Sequence, residues 1–152
     1  MQKLSVIDQL TIHPLQINQL AIAIEILKTY NCRAQEVLNA RWRDFYPNQM
    51  LILTGVKKSS NVVIRDRFIL QMISQLPILD EEKIFPALNY YHLYRHCKQY
   101  YSHLFIKFKK RHNFKVTHGF RYRAVEQVAN EEKIRDILHH RSINSGKYYK
   151  LK

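Results

Sequence analysis

The chain has 152 residues and 46% of them are apolar, so it can bury a core and is too apolar for intrinsic disorder. Lysine and arginine number 25 against 12 aspartates and glutamates, which gives a formal charge of +13. Two cysteines exclude a disulfide framework and a four-cysteine zinc site. No apolar run approaches the roughly 18 residues of a membrane span. We therefore expect a reduced, cytoplasmic protein that binds a polyanion and does not enter a membrane.

The order of sequence patterns predicts a fold that is mainly α with a small antiparallel β-sheet (α+β). Apolar residues at helical spacing predict helices over residues 14–30, 33–42, about 66–75, 89–109, from about 119, and 131–140. Between the second and third helices, β-branched and apolar runs flank a polar turn. They predict a β-hairpin with strands Met50–Leu53 and Val62–Ile64.

Positive charge is concentrated in the second half of the chain. Residues 76–152 carry a net charge of +9, against +4 for residues 1–75, and no acidic residue occurs between Lys83 and Glu126. Cations alternate with aromatic residues in that stretch, and such clusters are typical of proteins that contact phosphates. A solvated basic surface or an RNA-binding surface are the alternatives. The predicted DNA-binding residues are Lys58, Lys107, Lys109, Lys110, Arg111, Lys115, Arg123 and Arg141.

Several short patterns could carry chemistry. His118 and Arg121 have the spacing H-x-x-R at the start of a predicted helix, where they share a face and free backbone N–H groups favour an anion. Arg33 opens a helix three residues before Glu36, which fits a surface ion pair or an arginine directed at phosphate. Lys57 lies at the predicted hairpin tip, either as an exposed turn residue or as a proton donor. Taken singly, each pattern is weak evidence, and ordinary surface residues are the favoured interpretation for the His118–Arg121 pair and for Arg33.

A histidine pair and a tyrosine pair lie near the end of the sequence: His139, His140, Tyr148 and Tyr149. A zinc site would need further ligands, and no nearby carboxylate or cysteine pattern supplies them. We therefore predict no metal site.

In this order the patterns resemble the boxes of the tyrosine recombinase (phage integrase) family, from about residue 14 to the end. TYNCRAQEVLNARWRD, from Thr29 to Asp44, resembles the family's T-G-x-R-x-x-E-x-L-x-L-x-W-x-D. HGFRY, from His118, resembles H-x-L-R-H. LHHRSINSGKYY, from Leu138 to Tyr149, resembles L-G-H-x-S-I-x-T-T-x-x-Y. The spacing between the last histidine and tyrosine selects His140 and Tyr149.

The sequence departs from the family pattern at several positions. Asn31 and Cys32 stand where glycine is usual, and His139 replaces the glycine before the last motif histidine. Gly119 stands where aspartate is frequent, and Tyr122 replaces a common second histidine.

The resemblance implies a site-specific DNA recombinase or integrase that cleaves and rejoins DNA through a 3′-phosphotyrosine intermediate. In that mechanism Arg33 and Arg121 bind non-bridging phosphate oxygens, and His140 donates a third contact. Glu36 orients Arg33 without contacting the phosphate itself. Fixed donors of this kind match the charge that develops in the transition state.

The resemblance also implies how protons move. Tyr149 is the nucleophile, His118 is the general base, and Lys57 is the general acid for the 5′ hydroxyl leaving group, with adjacent Lys58 as the alternative. A phenol with a pKa of about 10 needs such an acceptor at neutral pH. The reaction needs neither ATP nor a metal, so no cofactor is expected.

Double-stranded DNA is the expected partner, with self-association into a dimer or tetramer on it. Residues 1–152 are expected to form one catalytic domain that lacks the family's usual N-terminal core-binding domain and has three residues beyond Tyr149. The expected location is the cytoplasm of a bacterium, with a bacterial or phage gene and association with the nucleoid. The alternative is a catalytically weak or inactive DNA-binding remnant that regulates recombination or transcription.

Overall fold

The computed structural model describes residues 14–110 and 114–140, with the backbone alone for residues 14–17. Within these ranges the chain forms six α-helices and a three-stranded antiparallel sheet, so the predicted fold class is confirmed. The helices are α1 (Pro14–Tyr30), α2 (Ala34–Leu38), α3 (Arg67–Ser74), α4 (Tyr90–Tyr101), α5 (Gly119–Val125) and α6 (Glu131–Leu138). The strands are β1 (Phe45–Tyr46), β2 (Met50–Leu53) and β3 (Val62–Ile64).

Helix α1 is the central helix and has the predicted bounds. It packs against α2, α3 and α4, and its buried residues include Ala23, Ile26 and Leu27. The helix ends because Asn31 takes a left-handed conformation with φ of 55°. The backbone N–H of Asn31 still donates to the carbonyl of Leu27, at 3.1 Å. Asparagine tolerates this conformation better than most residues do, so it can end a helix where glycine would be usual.

The sheet has the strand order β1-β2-β3, and the two predicted strands are confirmed. Leu51 and Leu53 of β2 pair with Ile64 and Val62 of β3, and all four side chains are buried on one face. Strand β1 was not predicted. It has only two residues, too few to show the alternation by which a strand is recognised.

Two predicted helices are much shorter in the structure, and the helix expected over 131–140 ends two residues early, at Leu138. The helix expected over 33–42 ends at Leu38, because the following residues leave it to bond with residues 82–84. The N–H of Trp42 donates to the carbonyl of Glu82 at 2.9 Å, and the N–H of Ile84 donates to the carbonyl of Ala40 at 3.1 Å.

The helix expected over 89–109 divides into α4 and a 3₁₀ segment, Ser102–Phe108. The hydroxyl of Ser102 donates to the carbonyl of Lys98 at the point of change. Phe105 and Phe108 are both buried, and their spacing of three suits the three residues per turn of a 3₁₀ helix. Helix α5 begins at Gly119, as predicted. Every helix in the described ranges is too short or too polar to cross a bilayer.

Candidate functional site

Three segments that are far apart in the chain meet at one place, which we call the junction. They are the start of α2 at Arg33, the β2–β3 loop at Ser59, and the end of α6 at His139 and His140. Ser59 forms an antiparallel bridge with His140. The N–H of Ser60 donates to the carbonyl of His139 at 2.6 Å. The junction therefore brings residues from the first and third sequence boxes onto the same loop.

Glu36 fixes Arg33 through the backbone. Its side chain is buried, and its Oε1 accepts a hydrogen bond from the backbone N–H of Arg33 at 2.7 Å. Its Oε2 accepts from the backbone N–H of Val56 at 3.2 Å. The side chain of Arg33 in turn donates from Nε to the hydroxyl of buried Ser59, at 3.0 Å. One carboxylate thus ties the start of α2 to the β2–β3 loop.

The loop between β2 and β3 presents Lys57 at its tip. A Cβ atom on Gly55 would lie 2.2 Å from the carbonyl oxygen of Ser59, so only glycine fits this tight approach. Lys57 is exposed and has a φ of 54°, in the left-handed region that is unfavourable for a lysine. Its charge is among those that act on His118. Lys58 is also exposed.

Arg121 lies at the base of the junction and is only 1% exposed. Its Nη1 donates to the carbonyl of Asn31 at 2.6 Å, and its Nη2 donates to the carbonyl of Leu138 at 3.3 Å. The guanidinium therefore joins the ends of α1 and α6. Asn31, whose carbonyl accepts this bond, has the left-handed conformation that ends α1.

His140 is buried against the same arginine. Its Nε2 lies 3.1 Å from Nη2 of Arg121. An arginine nitrogen can only donate, so Nε2 is the acceptor and a neutral ring carries its proton on Nδ1. Burial lowers the pKa of His140 to about 4, and the charges of Arg121, Arg33 and His139 add to the effect. His140 is therefore neutral at physiological pH.

His118 faces the same group of cations. It ends the 3₁₀ turn Val116–His118, directly before α5. Burial lowers its pKa to about 3, with further contributions from the positive charges of Arg121, Arg33, Lys115 and Lys57, in that order. The next residue, Gly119, packs on Phe105 so closely that a Cβ would lie 2.3 Å from the ring. An aspartate would not fit there unless the ring moved.

His139 has a structural role that sequence reasoning missed. It follows α6 with a φ of 61°, the conformation that the family's glycine adopts without strain. The N–H of His140 donates to the carbonyl of Arg135 at 2.9 Å, and that of His139 to Asp136 at 3.4 Å, which together form a Schellman motif. The His139 ring donates from Nε2 to the carbonyl of Tyr30, at 2.8 Å. The signal in the sequence was the replaced glycine after a helix.

The predicted DNA-binding residues that the structure describes are all exposed: Lys58, Lys107, Lys109, Lys110, Lys115 and Arg123. Lys107 forms an ion pair with Glu126. Three predicted residues lie outside the described residues: Arg111, Arg141 and Tyr149. Within the described part of the chain, no three His, Cys, Asp or Glu side chains come together as a metal site requires.

The fold is similar to that of a known recombinase. One solved structure is the XerH site-specific recombinase bound to its difH substrate in a pre-cleavage complex, with a TM-score of 0.59. Another is XerH bound to a palindromic difH substrate in a post-cleavage complex, with a TM-score of 0.60. Each is 15% identical in sequence, and the match covers 94% of this chain and 45% of the XerH chain. No protein-family model and no curated protein matches the sequence. The likeness is therefore one of fold.

Proposed function

We propose that this protein is a site-specific DNA recombinase that cleaves and rejoins DNA through a 3′-phosphotyrosine at Tyr149. One observation carries the proposal. Arg33, His118, Arg121 and His140 come from separate segments and act on one another at the junction. A fold similar to that of a DNA-bound recombinase supports the same function. We extend the proposal to residues 1–152 as one catalytic domain.

The junction offers positive charge to a phosphodiester. Arg33 is held by Ser59, and its backbone is held by Glu36, so its guanidinium has little freedom to lose on binding. Arg121 is more firmly fixed still. Neutral His140, which is hydrogen-bonded to Arg121, is the proposed third phosphate contact. Donors fixed before the reaction stabilise the extra charge of the pentacoordinate transition state, and loss of one typically costs about 10²–10³ in rate.

Proton transfer follows from the charges around His118. With its pKa lowered to about 3, the ring is neutral at pH 7 and can accept the phenol proton of Tyr149. A bound phosphodiester adds a negative charge that opposes the surrounding cations and makes the ring a stronger base. The Tyr149 oxygen forms a bond to phosphorus while the bond from phosphorus to the 5′ oxygen breaks. Lys57 gives a proton to that oxygen, and a later attack by a 5′ hydroxyl reverses the steps.

The proposed partner is double-stranded DNA, with assembly of several copies on it. The basic residues Lys109, Lys110 and Lys115 are exposed and would contact the phosphate backbone. We further propose that the protein acts in a bacterial cytoplasm, on a bacterial or phage element.

A covalent trap tests the function. Repeated or inverted sequences flanking the gene would supply a nicked suicide duplex, from which the broken strand is lost after cleavage. We expect the native chain to form a denaturant-stable adduct and Tyr149→Phe to form none, because the phenol oxygen is the only atom removed. Tyr148→Phe is the matched control and should still form the adduct. An adduct with Tyr149→Phe, or none with the native chain on any flanking repeat, would contradict the proposal.

One observation favours a second function, that of a DNA-binding protein that does not cleave. Arg121 is 1% exposed and donates to two main-chain carbonyls, as a purely structural arginine would. In that case binding would be steeply salt dependent, because it would rest on phosphate contacts alone. The suicide duplex would be bound and remain intact.

A further inference from the structure

A groove of about 660 Å³ lies beside the junction. This volume is within the roughly 300–1,000 Å³ of typical ligand sites. Its lining is mainly aromatic and basic, and includes Tyr90, Tyr91, Tyr94, Lys98, Lys109 and Lys115. We call it the tyrosine groove. Phe114 also lines it. Among the described residues, none of those named in the proposed chemistry lines the groove.

Two tyrosines of the groove are largely exposed to solvent. Tyr90 and Tyr91 are 41% and 57% exposed, which is high for large aromatic side chains. Tyr94 stacks against both, with centroid separations of 6.5 Å and interplanar angles of 22° and 30°. Three rings on neighbouring turns of α4 thus form a stacked platform, and the guanidinium of Arg95 lies 5.7 Å from the centroid of the Tyr91 ring.

Positive charge surrounds the platform. The ammonium of Lys98 lies 5.7 Å from the Tyr94 ring centroid, and Lys109 and Lys115 line the groove as exposed residues. Among the described residues that line the groove, none is acidic. An occupant that offers flat rings together with negative charge complements this surface, and an unpaired nucleic-acid strand offers both at a regular spacing.

One residue that lines the groove contacts the residue before His118. The Tyr90 hydroxyl lies 3.0 Å from the hydroxyl of buried Thr117, the residue before His118. Lys115 lines the groove and is also one of the cations that lower the pKa of His118. A strand with a phosphate at His118 would therefore lead directly into the tyrosine groove.

We propose that the tyrosine groove binds unpaired nucleobases of a DNA strand, which stack on the tyrosines while Lys98 and Lys115 hold the adjoining phosphates. The inference deepens the proposed function and rests on its assignment of DNA as the partner. A surface that contacts only the phosphates of a duplex needs lysines but no exposed aromatic rings, because paired bases are already stacked on one another. Stacking tolerates any base, so the groove would recognise unpaired structure in the substrate, independently of its sequence.

The test compares a labelled duplex with the same duplex carrying a short run of unpaired thymines, by fluorescence anisotropy on the full chain. We expect the native chain to bind the unpaired form at least about fivefold more tightly. Tyr91→Leu should abolish this preference and leave affinity for the duplex unchanged. Tyr46→Leu is the matched control, since Tyr46 is 45% exposed and does not line the groove. Unfolding midpoints check that both variants fold.

Three results would overturn the inference: equal binding of both DNAs by the native chain, an equal loss on both DNAs in Tyr91→Leu, or a change in self-association in place of DNA binding. The covalent trap separates this inference from the proposed function. If the preference for unpaired bases persists and no adduct forms, the groove stands and the recombinase proposal falls. If an adduct forms and the preference is absent, the recombinase proposal is supported and the proposal for the groove is wrong.

Discussion

The junction and the tyrosine groove both concentrate positive charge, but they hold it in opposite ways. In the junction the charged side chain of Arg121 is buried and donates to main-chain carbonyls at the ends of two helices. In the groove Lys98 is exposed and lies over a tyrosine ring. A buried cation that satisfies carbonyls supports the fold, whereas an exposed one is available to a ligand at little structural cost. Stability and chemistry should therefore depend on the same residues in the junction and on different ones in the groove.

Removal of one cation from each region should give the largest difference in the free energy of unfolding between the junction and the groove. Arg121→Ala leaves the carbonyls of Asn31 and Leu138 buried without their donor, and each such loss costs about 1–3 kcal/mol. We expect the free energy of unfolding to fall by about 3 kcal/mol or more. Lys98→Ala removes only an exposed cation–π contact and should cost less than about 1 kcal/mol. Urea unfolding of the two variants measures both effects.

Arg123→Ala is the control within α5, because Arg123 is exposed on the same helix. It should change the free energy of unfolding by no more than about 0.5 kcal/mol. If Arg121→Ala changes the free energy of unfolding no more than Arg123→Ala does, the junction does not depend on its buried arginine. The contrast with the groove would then be wrong.

Acid should lower the free energy of unfolding through the histidines of the junction. The pKa values of His118 and His140 are lowered to about 3 and about 4, so both rings stay neutral in the folded state while the unfolded chain takes up protons from about pH 6.5 downwards. The free energy of unfolding is therefore unaffected by these two histidines above pH 6.5, and it decreases as the pH falls towards 4. The free energy of unfolding falls by up to about 1.4 kcal/mol per pH unit for each proton that the chain takes up on unfolding.

The sign of this effect can be checked with one histidine at a time. Urea unfolding between pH 7 and pH 4.5, as a series in steps of about one unit, should give a shallower slope for His118→Gln. Exposed His103 provides the matched control, and His103→Gln should retain the native slope. The pKa values of His92 and His96 are also lowered, mainly by burial, and both remain in each variant. A native slope in His118→Gln would show that this ring is not buried among cations.

Much of the fold followed from periodicity. Helix α1 has the predicted bounds because its apolar residues repeat at helical spacing. The two longer strands have the predicted bounds because apolar and β-branched runs lie on either side of a polar turn. The long helix expected over 89–109 did not form in full. At the point of change the Ser102 hydroxyl bonds to a backbone carbonyl, which is a local contact. The spacing of apolar residues did not distinguish the 3₁₀ segment that follows from a continued α-helix.

The contacts among the candidate site residues could not be predicted from the sequence. Motif spacing pointed to Arg33, Arg121 and His140, and the structure brings these three to the junction. The spacing could not indicate that Glu36 would bond to two backbone N–H groups, since this depends on the loop that carries Val56. The tyrosine groove was visible only as alternating cations and aromatics. The adjacency of Thr117 to Tyr90 comes from tertiary packing of segments 27 residues apart.

The smallest expected effect concerns His139, where two opposing contributions can be separated. Its left-handed conformation costs about 1 kcal/mol or somewhat more relative to glycine, and its bond to the Tyr30 carbonyl contributes about 0.5–1.5 kcal/mol. His139→Ala keeps the strain and loses the bond, so the free energy of unfolding should fall by about 1 kcal/mol. His139→Gly loses both, so its change should be close to zero.

The difference between the alanine and glycine variants measures the backbone strain, and urea unfolding can resolve it. Asn31→Gly is the comparison at the other left-handed helix end, where the described hydrogen bonds are made by the backbone alone. It should be neutral or slightly stabilising, because glycine relieves strain there without loss of a side-chain bond. If His139→Gly proves as destabilising as His139→Ala, the ring of His139 contributes through its contact with α1 and the strain is negligible. In that case the side chain of His139 is retained for a bond that holds the end of α6 against α1.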